Sequence, residues 1–94
     1  MFVVLLEFSA NKAQAGAYMA KHNDWLQQGF DEEIFLFSGS LQSKRGGSIL
    51  AHNISREALQ ERLSKDPFVA HNIVTVSILE ITPGKADERL AFIV

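Results

Sequence analysis

The segment MFVVLLEF (residues 1–8) is a run of β-branched and aromatic residues of strand length. Successive side chains of a strand point to opposite faces, so a strand with one solvated face should alternate apolar and polar residues. This run does not alternate, because one face would carry Phe2, Val4 and Leu6 and the other Val3 and Leu5. The segment therefore predicts a strand that is covered on both faces.

Two helices are predicted downstream of this strand. The first spans residues 12–28, with Asn11 as its N-cap and Gly29 as its C-terminal stop. The second begins after the N-cap Ser55 and ends at Leu63. A further helical turn is predicted at Asp66-Pro67, because Asp is a good N-cap and Pro is well accepted at the first helical position.

Three further strands are predicted at residues 33–37, 48–54 and 72–81. Residues 38–47 have the glycine-rich, polar composition of a loop, and Pro83-Gly84 ends the last strand. The element order is then β-α-β-β-α-β. This order predicts the α+β ferredoxin-like fold, a four-stranded antiparallel sheet with both helices on one face. Residues 1–94 are predicted to form one domain.

Two helices on one face cannot cover both faces of such a sheet. The second predicted strand carries Ile34 and Leu36 on one face and Phe35 and Phe37 on the other. A second copy packed face to face would bury roughly 800 Å² per subunit, the size of a stable interface. We therefore expect a homodimer. The tail at residues 85–94 ends in LAFIV and is expected to pack on the partner subunit or on its own sheet.

Composition excludes several classes of protein. The chain has no cysteine, which excludes a disulfide framework and thiolate chemistry. Its net charge of −2 with mixed signs gives no basic stripe for nucleic acid. No apolar run approaches the ~20 residues that a membrane span needs. The sequence thus predicts a cytoplasmic protein with neither a nucleic-acid nor a membrane partner.

His22 is the first candidate for chemistry, because it falls on the apolar stripe of the first helix with Tyr18 and Trp25. One interpretation is a buried histidine satisfied by hydrogen bonds. The other is a general acid or base in a pocket between helix and sheet, since histidine titrates near neutral pH. Asp66 is the second candidate. It could orient an imidazole as well as cap a helix, although the sequence does not show that the two residues are close.

Three further residues are candidate substrate contacts. Ser38 and Gly39 begin the glycine-rich segment, whose backbone N–H groups could hold an oxygen atom, although a plain hairpin loop has the same composition. Trp25 is a candidate stacking group, with core packing as the alternative. His52 and His71 match no metal-ligand spacing, so neither a metal nor a cofactor is predicted.

The motifs His22-x-x-Trp25-Leu26, Phe37-Ser38-Gly39 and Asp66-Pro67-Phe68, in this order and spacing, resemble the YciI-like (YCII-related) family over residues 1 to about 84. That family belongs to the dimeric α/β-barrel superfamily. The resemblance implies a two-sheet dimer with a pocket in each subunit, an active-site pair at His22 and Asp66, and Ser38 at the pocket edge. Gly39-Ser40 departs from the Gly-Pro that many relatives carry, and the tail beyond Gly84 lies outside the shared pattern.

The family includes a dehydrochlorinase that acts on a chlorinated hydroxyhydroquinone. The resemblance therefore implies a cofactor-independent lyase, isomerase or dehydrochlorinase that transfers a proton on a small cyclic or aromatic compound. Two alternatives stay open. One is a homodimer of the same fold that binds a small ligand or another protein without chemistry. The other is a haem protein or monooxygenase, which is less supported because the sequence offers no clearly placed haem ligand.

Overall fold

A computed structural model describes residues 1–94 and contains one four-stranded antiparallel sheet. The strands and helices, in chain order, are β1 (Phe2–Phe8), α1 (Ala15–Asp31), β2 (Phe35–Leu41), β3 (Gly46–Ala51), α2 (Arg56–Ser64), α3 (Pro67–Ala70) and β4 (Val74–Glu80). Short 3-10 helices lie at Lys12–Gln14, Gln42–Lys44 and Glu88–Ile93. The strand order β2-β3-β1-β4 is that of the predicted α+β ferredoxin-like fold, which is confirmed.

The core lies between the sheet and the helices. β1 pairs with β3 on one side and β4 on the other, so its side chains occupy the centre of the sheet. Phe2, Val4 and Leu6 are buried on the helix side, whereas Val3 and Leu5 on the opposite side are only half-buried. The buried apolar residues are Phe2, Val4, Leu6, Trp25, Phe35, Ile49, Ala51, Leu59, Leu63, Phe68, Ile73 and Val74.

A β-bulge in β2 changes which of its side chains face the helices. Phe35 pairs with Ala51 and Phe37 with Leu50, so one extra residue, Leu36, is inserted between them. Phe35 is consequently buried against the helices, while Phe37 is 53% exposed on the outer face of the sheet. The prediction that Phe35 and Phe37 share a face was wrong, because period-2 alternation fails across a bulge.

The prediction of a loop at residues 38–47 was also wrong. β2 continues to Leu41 and β3 begins at Gly46, so only a 3-10 turn at Gln42–Lys44 and the following Arg45 connect them. The turn uses left-handed backbone conformations, with φ of 64° at Ser43 and 55° at Lys44. Gly46 has φ of 137°, and a Cβ there would overlap the carbonyl oxygen of Leu6. Apart from Ser43 in the turn, the glycine and serine residues of this stretch therefore lie in strands rather than in a loop.

Both predicted ends of the first helix need correction. The Asn11 side chain makes no capping bond and instead donates to the carbonyl of His71, 2.9 Å away. α1 itself starts at Ala15 and passes through Gly29 to Asp31. Gly29 is buried because the ring of Phe35 packs where its Cβ would be. The chain leaves the helix through Glu33, which has the left-handed φ of 61° that was expected of Gly29.

The two predicted N-caps after β3 are confirmed. Ser55 Oγ accepts the Ala58 N–H at 3.1 Å at the start of α2. Asp66 accepts the Phe68 N–H at 3.0 Å at the start of α3, and Pro67 occupies the first helical position. These caps fix where each helix begins, and the second one fixes the orientation of a buried carboxylate.

The outer face of the sheet and the tail carry most of the exposed apolar side chains. Phe37 and Leu79 project from the outer face, and both are more than half exposed. In the tail, Phe92 is 60% exposed, and its ring meets His52 edge-on with centroids 5.9 Å apart. None of the helices combines the length and apolar character that crossing a bilayer requires.

Candidate functional site

His22 and Asp66 form a buried pair that joins α1 to the start of α3. His22 Nδ1 lies 2.7 Å from Asp66 Oδ1. The exposed fraction is 9% for His22 and 0% for Asp66. The structure therefore brings together the two residues that the sequence proposed separately, across 44 positions of the chain.

The hydrogen bonds around Asp66 define the tautomer of the imidazole. Asp66 Oδ1 already accepts the backbone N–H of Phe68, so it is oriented as an acceptor. The His22 Nδ1–H then donates to the same oxygen, and Nε2 is left with its lone pair. Nε2 has no hydrogen-bond partner within the chain, and Asp66 Oδ2 is the sole side-chain polar atom that is both buried and unpartnered. Nε2 is therefore in contact with solvent.

An open cleft of about 260 Å³ lies beside His22. The apolar side chains that line it include Leu6, Phe8, Met19, Leu26 and Phe68. Polar groups come from Asn23 on α1 and from Ser38 and Ser40 on β2. Since ligand pockets for drug-sized molecules measure roughly 300–1,000 Å³, this cleft suits a smaller compound such as a single ring.

The bulge in β2 creates the polar wall of the cleft. Ser38 pairs with Ile49 and Ser40 with Gly47, and those β3 positions face the helices. If β2 alternated regularly from Phe35 with no bulge, the two serines would lie on the outer face of the sheet. Gly47 adds space, because it places no side chain between Ser40 and Leu6.

Ser38 and Gly39, both proposed from the sequence as substrate contacts, line this cleft. Gly47, from the glycine-rich segment considered for binding an oxygen atom, lines it as well. Asn23 and Ser40 also line it but were not proposed. Their only sequence signals were the position of Asn23 next to His22 and the alternation Ser-Gly-Ser in β2. That alternation becomes informative only when the register of β2 is known.

Trp25 does not line this cleft. Its Nε1–H donates to the carbonyl of Arg62 at 3.0 Å, and its ring packs against Phe35 with centroids 5.3 Å apart. It lies behind His22, 6.0 Å between ring centroids. The structure thus gives Trp25 a packing position, which was the alternative considered for it.

The other two histidines are not part of the pair. His71 stacks on Tyr18 at 4.1 Å between ring centroids, and His52 contacts Phe92 in the tail. No three His, Cys, Asp or Glu side chains are close enough together to hold a metal ion.

The model of the YCII-related domain matches residues 1–82 of this sequence. The chain belongs to the YCII-related family. The recognition made from the His22, Ser38 and Asp66 motifs is thereby confirmed. A comparison with curated protein sequences finds no match.

The fold of this YCII-related domain is also found in a solved structure. That structure is 5-chloro-2-hydroxyhydroquinone dehydrochlorinase from Burkholderia phenoliruptrix, in complex with 2,5-dihydroxybenzoquinone. The similarity has a TM-score of 0.71 and covers 89% of this chain and 96% of that chain. With a sequence identity of 11%, it establishes a shared fold.

Outside the cleft, on the far side of α1, an ion pair helps to join α1 to α2. Arg62 donates two hydrogen bonds to Glu32, at 3.1 and 3.0 Å. These hydrogen bonds, and then the positive charge of Arg62, hold the pKa of Glu32 below its ordinary value. The same Arg62 accepts the Trp25 N–H through its carbonyl, so one residue links α1 and α2 at two points.

Proposed function

We propose that this chain is an enzyme that needs no cofactor and transfers a proton on a small cyclic or aromatic compound. His22 is the acid and base, and Asp66 orients and stabilises it. The observation that carries the proposal is the 2.7 Å hydrogen bond from His22 Nδ1 to buried Asp66, which leaves Nε2 of this cleft-lining residue without a partner in the chain. A base in this position needs no metal to act.

The reaction begins when His22 Nε2 accepts a proton from a hydroxyl group or carbon of the bound ring. The imidazolium that forms is stabilised by the Asp66 carboxylate at its other nitrogen. In an elimination, the ring first takes its keto form, in which one hydroxyl proton moves to the carbon that bears chlorine. His22 then removes the proton of a second hydroxyl group, and the electron pair of that O–H bond passes through the ring and expels chloride. The substrate thus loses HCl and becomes a quinone. No oxidant is required, because the bonding electrons leave with the chloride. In an isomerisation, the imidazolium returns its proton to another ring carbon.

The composition of the cleft supports a hydroxylated ring as the substrate. Leu6, Phe8 and Phe68 provide apolar contact, while Ser38, Ser40 and Asn23 provide hydroxyl and amide groups for ring oxygens. The neighbour of the same fold is a dehydrochlorinase and was solved with 2,5-dihydroxybenzoquinone. The compound named in that enzyme's activity, 5-chloro-2-hydroxyhydroquinone, is therefore the first to test.

We also propose that the enzyme is a homodimer assembled through the outer face of the sheet. Phe37 and Leu79 on that face are more than half exposed, and no helix covers them. The tail adds Leu90, Phe92 and Val94, which are 46–67% exposed. A second copy would cover these apolar side chains and leave the cleft, on the helix side, open to substrate.

The test of function is an anaerobic assay with 5-chloro-2-hydroxyhydroquinone, because oxygen would convert the compound to a quinone by itself. Chloride release and quinone absorbance are measured together. The wild-type protein should release one chloride for each quinone formed. His22→Ala should lower kcat about 10²–10⁴-fold, the usual contribution of general acid–base catalysis.

His52→Ala is the matched control, since His52 lies away from the cleft, and it should retain full activity. Equal turnover by wild type and His22→Ala would exclude His22 as the base. No chloride release by wild type, together with binding of 2,5-dihydroxybenzoquinone in the cleft, would overturn the elimination and favour the ligand-binding alternative.

A further inference from the structure

The His22–Asp66 pair depends on the placement of a very short helix. His22 belongs to α1, which has 17 residues, whereas Asp66 caps α3, which has four. The hydrogen bond between them is 2.7 Å long. A catalytic pair needs its geometry held within about 0.5 Å, so α3 must be fixed relative to α1.

Hydrogen bonds hold both flanks of α3. Before it, the Asp66 N–H donates to the Leu63 carbonyl of α2 at 3.1 Å. The Asn11 side chain donates to the carbonyl of His71 at 2.9 Å, and Ser9 Oγ donates to the carbonyl of Asn72 at 2.7 Å. Both contacts lie after α3, whereas Asp66 lies before it. None of these bonds reaches α1, so the orientation of α3 against α1 depends on side chains that contact α1.

Two parallel aromatic stacks join α3 to α1. The His22 and Phe68 rings stack with centroids 4.0 Å apart and planes 3° apart. The Tyr18 and His71 rings stack with centroids 4.1 Å apart and planes 22° apart. Tyr18 lies one helical turn before His22 on α1, and His71 lies three residues after Phe68, so the two stacks are adjacent.

We propose that Tyr18 and His71 are positioning residues for the His22–Asp66 pair. Neither of them lines the cleft, and His71 is exposed, so their contact with each other is separate from substrate binding. Their stack fixes the rotation of α3 at its end, as the His22–Phe68 stack does at its start. Phe68 itself is a poor test of this role, because it also lines the cleft and belongs to the core.

The catalytic consequence of this positioning rests on the proposed function, but the positioning itself can be tested without substrate. A ring N–H that is buried and bonded to a carboxylate gives a deshielded, slowly exchanging proton resonance. The chain has three histidines, so protein labelled with ¹⁵N-histidine should show one such resonance, from His22 Nδ1–H. Its absence in His22→Gln and in Asp66→Asn assigns it.

Tyr18→Ala and His71→Ala should lose this resonance or broaden it by exchange, while the backbone amide spectrum stays that of the folded protein. Tyr18→Phe and His71→Phe keep a stacking ring at each position and should therefore show the resonance. His52→Ala, which removes the edge contact with Phe92 instead, is the matched control and should leave it unchanged. Where turnover is measurable, both alanine variants should lower kcat about ten- to a hundredfold at unchanged KM.

An unchanged resonance in Tyr18→Ala and His71→Ala would show that the backbone tethers alone hold α3, and the proposal would be wrong. Equal loss of the resonance in His71→Ala and His71→Phe would also overturn the proposal, because the loss would then not depend on the stacking ring. If the resonance behaves as expected but wild-type protein releases no chloride, the positioning role stands and the proposed function fails.

Discussion

Asp66 has two roles in the site, as a helix cap and as the hydrogen-bond partner of His22. One of its oxygens caps α3 through the Phe68 N–H and also accepts the His22 Nδ1–H. The cap was predictable, because Asp before Pro is a local signal. The pairing with His22 was not, because it depends on how α1 and α3 pack across 44 residues. The family resemblance supplied that pairing as an expectation.

This double role leads to a prediction about stability. Asp66→Ala removes a helix cap and leaves the buried Nδ1–H of His22 without an acceptor, and it should lower the free energy of unfolding by about 2–4 kcal/mol. Ser55→Ala removes the same kind of cap at an exposed site on α2 and should cost about 1 kcal/mol. Urea unfolding at one protein concentration measures both. Equal costs would show that His22 gains no stability from Asp66.

At the scale of elements, the sequence predicted which segments form helices and strands better than where they end. The apolar runs around Val4, Phe35 and Val76 were long enough to identify their strands. The extension of β2 to Leu41 was missed, because Ser and Gly in an edge strand have the composition of a loop. The bulge at Leu36 has no local signal at all, and it is the bulge that turns Ser38 toward His22.

Gly29 is the second residue whose role only packing could reveal, since a glycine near a helix end is usually a C-terminal stop. Gly29→Ala would push a methyl group into the Phe35 ring and should destabilise the protein by about 1–3 kcal/mol, the usual cost of overpacking. Gly16→Ala is the matched control, because the same helix leaves open space there. It should stabilise the protein by about 0.5–1 kcal/mol through better helix propensity.

Thermal or urea unfolding of the two glycine variants gives the comparison directly. Opposite signs for Gly29→Ala and Gly16→Ala are expected. A neutral Gly29→Ala would mean that Phe35 can move aside. In that case the contact between α1 and β2 would not explain why the helix runs through a glycine.

For the whole molecule, the distribution of apolar side chains over the two faces of the sheet bears on the dimer expected from the sequence. A sheet with apolar residues on both faces needs two covers, and α1, α2 and α3 supply only one. The bulge adds Phe37 to the uncovered face, although alternation had assigned that side chain to the side of Phe35. The cleft and the uncovered face therefore lie on opposite sides of the same sheet, so separate variants can test the proposed assembly and the proposed catalysis.

That separation gives the test of the homodimer. Leu79→Glu puts a charge on the outer face at a side chain that is 54% exposed, so the single chain should still fold. In a face-to-face dimer the carboxylate would be buried without a partner, and the dissociation constant should rise about a hundredfold or more. Gln60→Glu adds the same charge on the exposed surface of α2 and should have no effect. Sedimentation of wild type and both variants across protein concentrations measures this, and a wild-type protein that sediments as a folded monomer would exclude the dimer.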